Sequence, residues 1–132
     1  MNSDWSPAEL ERRLRGHLER LARPRHALWD PLGHLAARSD LAERLGAFGE
    51  VEEHRFKGEA RQGTNLILRI PGAEPGLAPL LVGAHFDGPP QSIGADDNAS
   101  GVAAMIELAC RWSAAPPRRT LWVVGFDQEE LG

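Results

Sequence analysis

Residues 79–126 read PLLVGAHFDGPPQSIGADDNASGVAAMIELACRWSAAPPRRTLWVVGF, and this stretch decides the fold. It opens on the continuous apolar run Pro79-Leu80-Leu81-Val82-Gly83-Ala84, the pattern of a central strand covered on both faces. From Asn98 to Ser113, apolar residues recur at helical spacing (Val102, Met105, Ile106, Ala109, Cys110). Glu107 and Arg111 are then expected to pair on the wet side, and Pro116-Pro117 ends the helix. Thr120 to Phe126 is a second fully apolar strand. Strand, helix, strand at this spacing is a βαβ unit, right-handed and with parallel strands.

On the N-terminal side, Ser6-Pro7-Ala8-Glu9 has the form of a capping box with proline at the first helical position, and Leu10, Leu14, Leu18 and Leu21 follow at helical spacing up to Pro24. The spacing predicts a second helix from Pro31 to Gly46 or Gly49, with Leu35, Ala42, Leu45 and Phe48 inward and Ser39-Asp40 as a point of interruption. The period then changes. Val51 to Lys57 reads as a charge-rich edge strand, and Thr64 to Ile70 places Leu66, Leu68 and Ile70 on one face; Lys57 to Gly63 joins them as a hairpin. The fold class is α/β: a mixed sheet with a central parallel βαβ unit flanked by helices. Residues 1–49 supply the N-terminal helices and 50–132 a partial mixed sheet, in one domain.

The 132 residues bound the chain to one domain, 42% hydrophobic and 26% charged, near the averages for globular proteins. A net charge of -4 with interspersed signs argues against nucleic acid as a partner, and Lys57 is the one lysine among the 15 basic residues. The single cysteine, Cys110, reads as buried filler. Met1 to Leu21 is charged and lacks an apolar run, so the expectation is a cytoplasmic chain with no signal peptide and no membrane partner.

Three ionisable clusters fall at the ends of these elements: His85-Phe86-Asp87 after the first strand, Asp96-Asp97-Asn98 before the helix, and Asp127-Gln128-Glu129-Glu130 after the second strand. In an open α/β sheet, ligands bind beyond the carboxyl ends of parallel strands, so the clusters converge. One imidazole and two carboxylates suit Zn²⁺ with a position left for water. Asp87, two residues from His85 in an extended segment, shares its face and can orient the imidazole. Adjacent Glu129 and Glu130 point apart, so one can bind metal while the other accepts a proton from activated water. Each fragment alone is ordinary: a hydrogen-bonded histidine, a helix-capping pair, a surface charge cluster. Carboxylates delivered three times to one crevice repel unless a cation neutralises them. His17, His26, His34 and His54 lack such company and read as surface residues.

The segments Val82 to Asp87, Gly94 to Ala104 and Gly125 to Gly132 resemble the co-catalytic zinc exopeptidases of the bacterial leucyl aminopeptidase type, whose fold the glutaminyl cyclases share. The resemblance covers Leu80 to Gly132 directly and the preceding helices and hairpin loosely. It implies that His85 binds a first zinc, Asp97 bridges two zinc ions and Glu130 binds the second. It also implies Glu129 as general base and acid, Asp87 as orienter of His85, and a strained, cis-type peptide after Asp97. A non-proline cis bond costs about 3 kcal/mol. In that family a further carboxylate and a second histidine come downstream, so the chain is expected to be a C-terminally truncated fragment that binds zinc weakly and hydrolyses no peptide alone. The second strand would also be left with an apolar flank. The expected parent activity is zinc-dependent hydrolysis of N-terminal peptide bonds on a peptide substrate. The alternatives are glutaminyl cyclisation, a carboxypeptidase-type or amide-bond hydrolase, and a non-catalytic degenerate peptidase module.

Overall fold

Ser6 starts the first helix, α1 (Pro7–Leu21): its side chain accepts from the Glu9 N–H at 3.3 Å, satisfying one of the donors that a helix N-terminus leaves free. The structure is a computed structural model and describes residues 5–59 and 61–132. Residues 1–4 of the charged N-terminal stretch and Ala60 in the hairpin link lie outside it. Proline opens α2 (Pro31–Gly46) as well, where its missing N–H costs nothing. Ser39-Asp40 does not interrupt α2. Its inward face is His34, Ala37, Leu41 and Leu45, while Leu35 is exposed. Leu45 is inward as expected, but the stripe otherwise runs one position away, through His34 and Leu41, and Ala42 and Phe48 pack against the core only at its margin.

The strands β1 (Val51–Lys57), β2 (Gln62–Ile70), β3 (Leu80–His85) and β4 (Leu121–Phe126) form one sheet in the order β1-β2-β4-β3. β1 pairs antiparallel with β2 and β2 with β4, and β3 runs parallel to β4. The mixed sheet and its parallel pair match the sequence expectation, but the place of β3 does not. It is an edge strand of this four-stranded sheet, with Leu80 and Leu81 more than half exposed, and β4 is an interior strand with a neighbour on each side. The apolar flank expected on β4 is filled by β2, and the uncovered flank belongs to β3. Nor are both faces covered: Leu81 and Phe126 are exposed.

The third helix, α3 (Ser100–Ala114), follows a single π-helical turn at Ala95–Ala99 and links β3 to β4. All three helices share one core cluster with the sheet, in which Leu41, Leu45, Leu68, Ile106 and Val123 are wholly buried. Gly125 leaves room for that contact: a Cβ there would come within 2.6 Å of Leu41 Cδ2. Cys110 is buried, as expected. Glu107 is not on the wet side. It lies buried between α1 and α3, where Arg13 Nε donates to one carboxylate oxygen at 2.7 Å and His17 Nε2 lies 2.8 Å from the other. Among the described residues no helix is long and apolar enough to cross a membrane.

Candidate metal centre

Parallel pairing of His85 with Phe126 brings the carboxyl ends of β3 and β4 to the same edge of the sheet. His85 is the last residue of β3, Asp97 sits in the turn before α3, and Glu130 belongs to a short 3₁₀ turn, Glu129–Leu131, just past β4. Each of the three offers a ligand atom, and these atoms lie within 4.8 Å of one another. His85 Nε2 is 3.1 Å from Asp97 Oδ1. The sequence placed these donors at one edge, and the structure brings them together. Asp96, from the same acidic cluster, turns aside and accepts from the Ser100 hydroxyl.

Asp87, with no exposed surface, is the hinge of the arrangement. Its Oδ1 is 3.2 Å from His85 Nδ1, which fixes the ring and turns Nε2 toward Asp97. The same carboxylate accepts the Glu129 N–H at 3.2 Å on Oδ1 and the Glu130 N–H at 3.0 Å on Oδ2. One buried acid thus ties the first donor loop to the third. The paired glutamates diverge. Glu129 stays largely exposed with Oε2 3.7 Å from His85 Nε2, whereas Glu130 Oε1 is buried with no hydrogen-bond partner in the protein.

The charge balance is unfavourable without a cation. Burial pushes the Glu130 carboxyl above its usual range, and the negative charges of Asp97, Glu129 and Asp87 push it further. Among the described residues no lysine or arginine forms an ion pair with Asp97, Glu129 or Glu130; His85 is the basic group in contact with them, and the buried Arg25 guanidinium acts on Asp97 and Glu130 only from beyond ion-pair distance. An orphaned buried carboxylate oxygen converging with an imidazole and a second carboxylate fits a divalent metal of the zinc type. The Asp97–Asn98 peptide is cis. Gly94, two residues before Asp96, has a left-handed φ of +57°, and a Cβ there would stand 2.4 Å from the Asp97 carbonyl oxygen, so this turn admits only glycine.

Three histidines read from the sequence as surface residues are buried. His17 meets Glu107, His26 accepts the Leu28 and Trp29 N–H groups on Nδ1, and His34 Nε2 lies 2.6 Å from Asp127 Oδ1. Only His54 is exposed. The His34–Asp127 pair anchors the third donor loop from behind. Asp127 also accepts the Thr64 N–H at 2.9 Å and donates its own N–H to Asn65, while His34 stacks on Phe86. Sequence reading also missed Arg25, a guanidinium 1% exposed and placed between the first two donor loops. Its one visible signal is an arginine between Pro24 and His26, where a helix has just ended.

The sequence profile of peptidase family M28 matches residues 65–132, just over half of the chain and all three clusters. The chain belongs to peptidase family M28. Among its relatives is a vacuolar membrane protease of Lachancea thermotolerans, 37% identical over 71 residues, which are 54% of this chain and 7% of that protein. Another, from Scheffersomyces stipitis, is 38% identical over 90 residues, 65% of this chain and 10% of that protein. The M28 chain therefore spans a small part of these relatives' length. Its fold is that of an Acidobacteriales glutaminyl cyclase (TM-score 0.74, 23% identity, 98% of this chain and 49% of that one). It is equally that of a leucine aminopeptidase precursor from Bacteroides thetaiotaomicron (TM-score 0.72, 20% identity, 96% and 48%). The zinc-exopeptidase-like α/β architecture holds across nearly the whole chain, including the N-terminal helices.

Proposed function

We propose that the whole protein built on this M28 sequence is a zinc-dependent aminopeptidase, acting on the N-terminal bond of a peptide. The observation that carries the reading is the meeting of His85, Asp97 and Glu130 around one point with the exposed carboxylate of Glu129 beside it. His85, Asp97 and Glu130 would hold the metal, with Asp97 as the bridge if a second ion is present. When bound, zinc supplies polarisation of the scissile carbonyl and acidification of the attacking water.

The remaining work falls to the chain's own side chains. Glu129 takes the proton from the attacking water and returns it to the leaving amine. Its exposure leaves it free to reach both, its backbone N–H bond to Asp87 fixes the start of the turn that carries it, and its Oε2 lies 3.7 Å from His85 Nε2. Asp87 holds the imidazole of His85 in one tautomer, and its buried negative charge favours the proton on Nδ1.

The test is hydrolysis of an aminoacyl arylamide by the wild type and by Glu129→Gln, with bound zinc measured in both. The expected result is a fall in kcat of about 100-fold or more with zinc content unchanged. Equal kcat in the two proteins would remove Glu129 from the proton transfer. Loss of ammonia from an N-terminal glutaminyl peptide, without arylamide cleavage, would replace the reading with cyclisation. Zinc uptake with neither reaction would point to a binding module.

A further inference from the structure

Arg25 is buried and makes no ion pair among the described residues, and its guanidinium is spent on carbonyl oxygens. Nε donates to Phe86 O at 2.9 Å, and Nη2 to Gly94 O at 3.0 Å. Nη1 reaches Ile93 O at 2.6 Å, Leu21 O at 2.9 Å and Arg23 O at 3.1 Å. The backbone joins in, since Arg25 O accepts the Gly88 N–H at 3.3 Å. A buried cation without a carboxylate partner is costly, and such groups persist where something else over-determines them. Burial pulls the Arg25 pKa down, and the negative charges of Asp87, Asp97 and Glu130 oppose that fall.

The carbonyls it grips fall in a pattern. Phe86 follows His85 directly, and Ile93 and Gly94 lead into the turn that carries Asp97. The third anchor, at Leu21 and Arg23, is the end of α1, which is fixed to the core. A planar fork with rigidly spaced N–H groups sets the distance between those loops, which a flexible ammonium cannot do.

We propose that Arg25 is a positioning residue of the M28 site, whose guanidinium clamps the His85 loop to the Asp97 loop and so presets the separation of two metal donors. The idea deepens the metal reading and rests on it for its purpose, but the clamp itself exists without metal. A residue acting through the ligands in this way is expected to change zinc affinity by about 10- to 100-fold.

The experiment is residue-resolved amide hydrogen exchange on the metal-free intact protein, for wild type, Arg25→Lys and Arg25→Met, followed by zinc titration of each. Both variants are expected to lose protection at Gly88 and at Ala99, whose N–H bonds to Gly94 O, while Leu66 and Leu68 in the sheet stay protected. Arg25→Lys keeps the charge, and it carries the comparison should the methionine variant not fold. Zinc affinity should fall in parallel. Unchanged exchange in the two loops, an even loss of protection throughout the protein, or full restoration by lysine would each overturn the proposal. If the wild type itself takes up no zinc, the metal reading fails, while the exchange pattern still decides whether Arg25 clamps the loops.

Discussion

Two of the charge clusters among the described residues are built in opposite ways. Between α1 and α3, Glu107 is met by Arg13 on one oxygen and by His17 on the other, and His17 Nδ1 in turn lies 2.6 Å from Arg20 Nη2. At the sheet edge, Asp97, Glu129 and Glu130 gather around His85 with no ion pair to a lysine or arginine among the described residues, and Glu130 Oε1 is left bare. In the first cluster both oxygens of the acid are met by the chain's own basic groups, and the contact holds helices together. The second is incomplete in charge, which marks it as a place for a cation from outside.

The contrast is broken most directly by removing an acid from each cluster. Glu107→Ala strips the buried Arg13 of its shortest carboxylate contact, leaving Glu9 Oε1 at 3.8 Å, and is expected to cost about 3 kcal/mol in denaturant unfolding. A cost near zero would mean that the paired cluster holds nothing. The His34–Asp127 pair, behind the metal centre, should behave like the first cluster despite its position. His34→Ala strips Asp127 Oδ1 of its ring partner and is expected to cost about 1 to 3 kcal/mol, measured the same way.

A smaller effect is expected with pH. Burial lowers the His17 pKa from 6.5, and although Glu107 raises it, the charges of Arg20 and Arg44 add to the lowering. Arg13 also faces the same carboxylate. The folded-state pKa lies below the unfolded one, so the contribution to stability is present above pH 6.5 and is lost as pH falls through the lowered folded value. Between neutral and mildly acidic pH the wild type should lose stability that His17→Gln does not; parallel curves for the two would remove His17 from the linkage.

The metal cluster should respond with the other sign. The Glu130 pKa is raised in the fold, so its ionised form is disfavoured there at neutral pH. Glu130→Gln is expected to raise the thermal midpoint of the metal-free protein slightly at neutral pH, with the difference vanishing as pH falls below the carboxylate range. A lowered midpoint at neutral pH would show that Glu130 is already satisfied within the protein.

What sequence could reveal follows from range. His85, Asp97 and Glu130 were legible because parallel strands end together, so chain order alone predicts where their tips meet. Glu107 was misassigned because helical spacing sees Arg111 four residues away, whereas its partners Arg13 and His17 lie 94 and 90 residues distant. Arg25 and His34 sit just after and within helical segments, where polar residues are ordinarily solvated, and only tertiary contact reveals their burial. The edge position of β3 was hidden because an apolar run reports hydrophobicity and not how many strands lie beside it.

The central claim is that His85, Asp97 and Glu130 together hold a divalent metal, and titration of the metal-free protein with zinc by calorimetry tests it most directly. Saturable binding is expected that is lost in His85→Ala and weakened in Asp97→Asn and Glu130→Gln, and that persists in His17→Gln. Zinc uptake that survives removal of all three donors, or no uptake by the wild type, would contradict it.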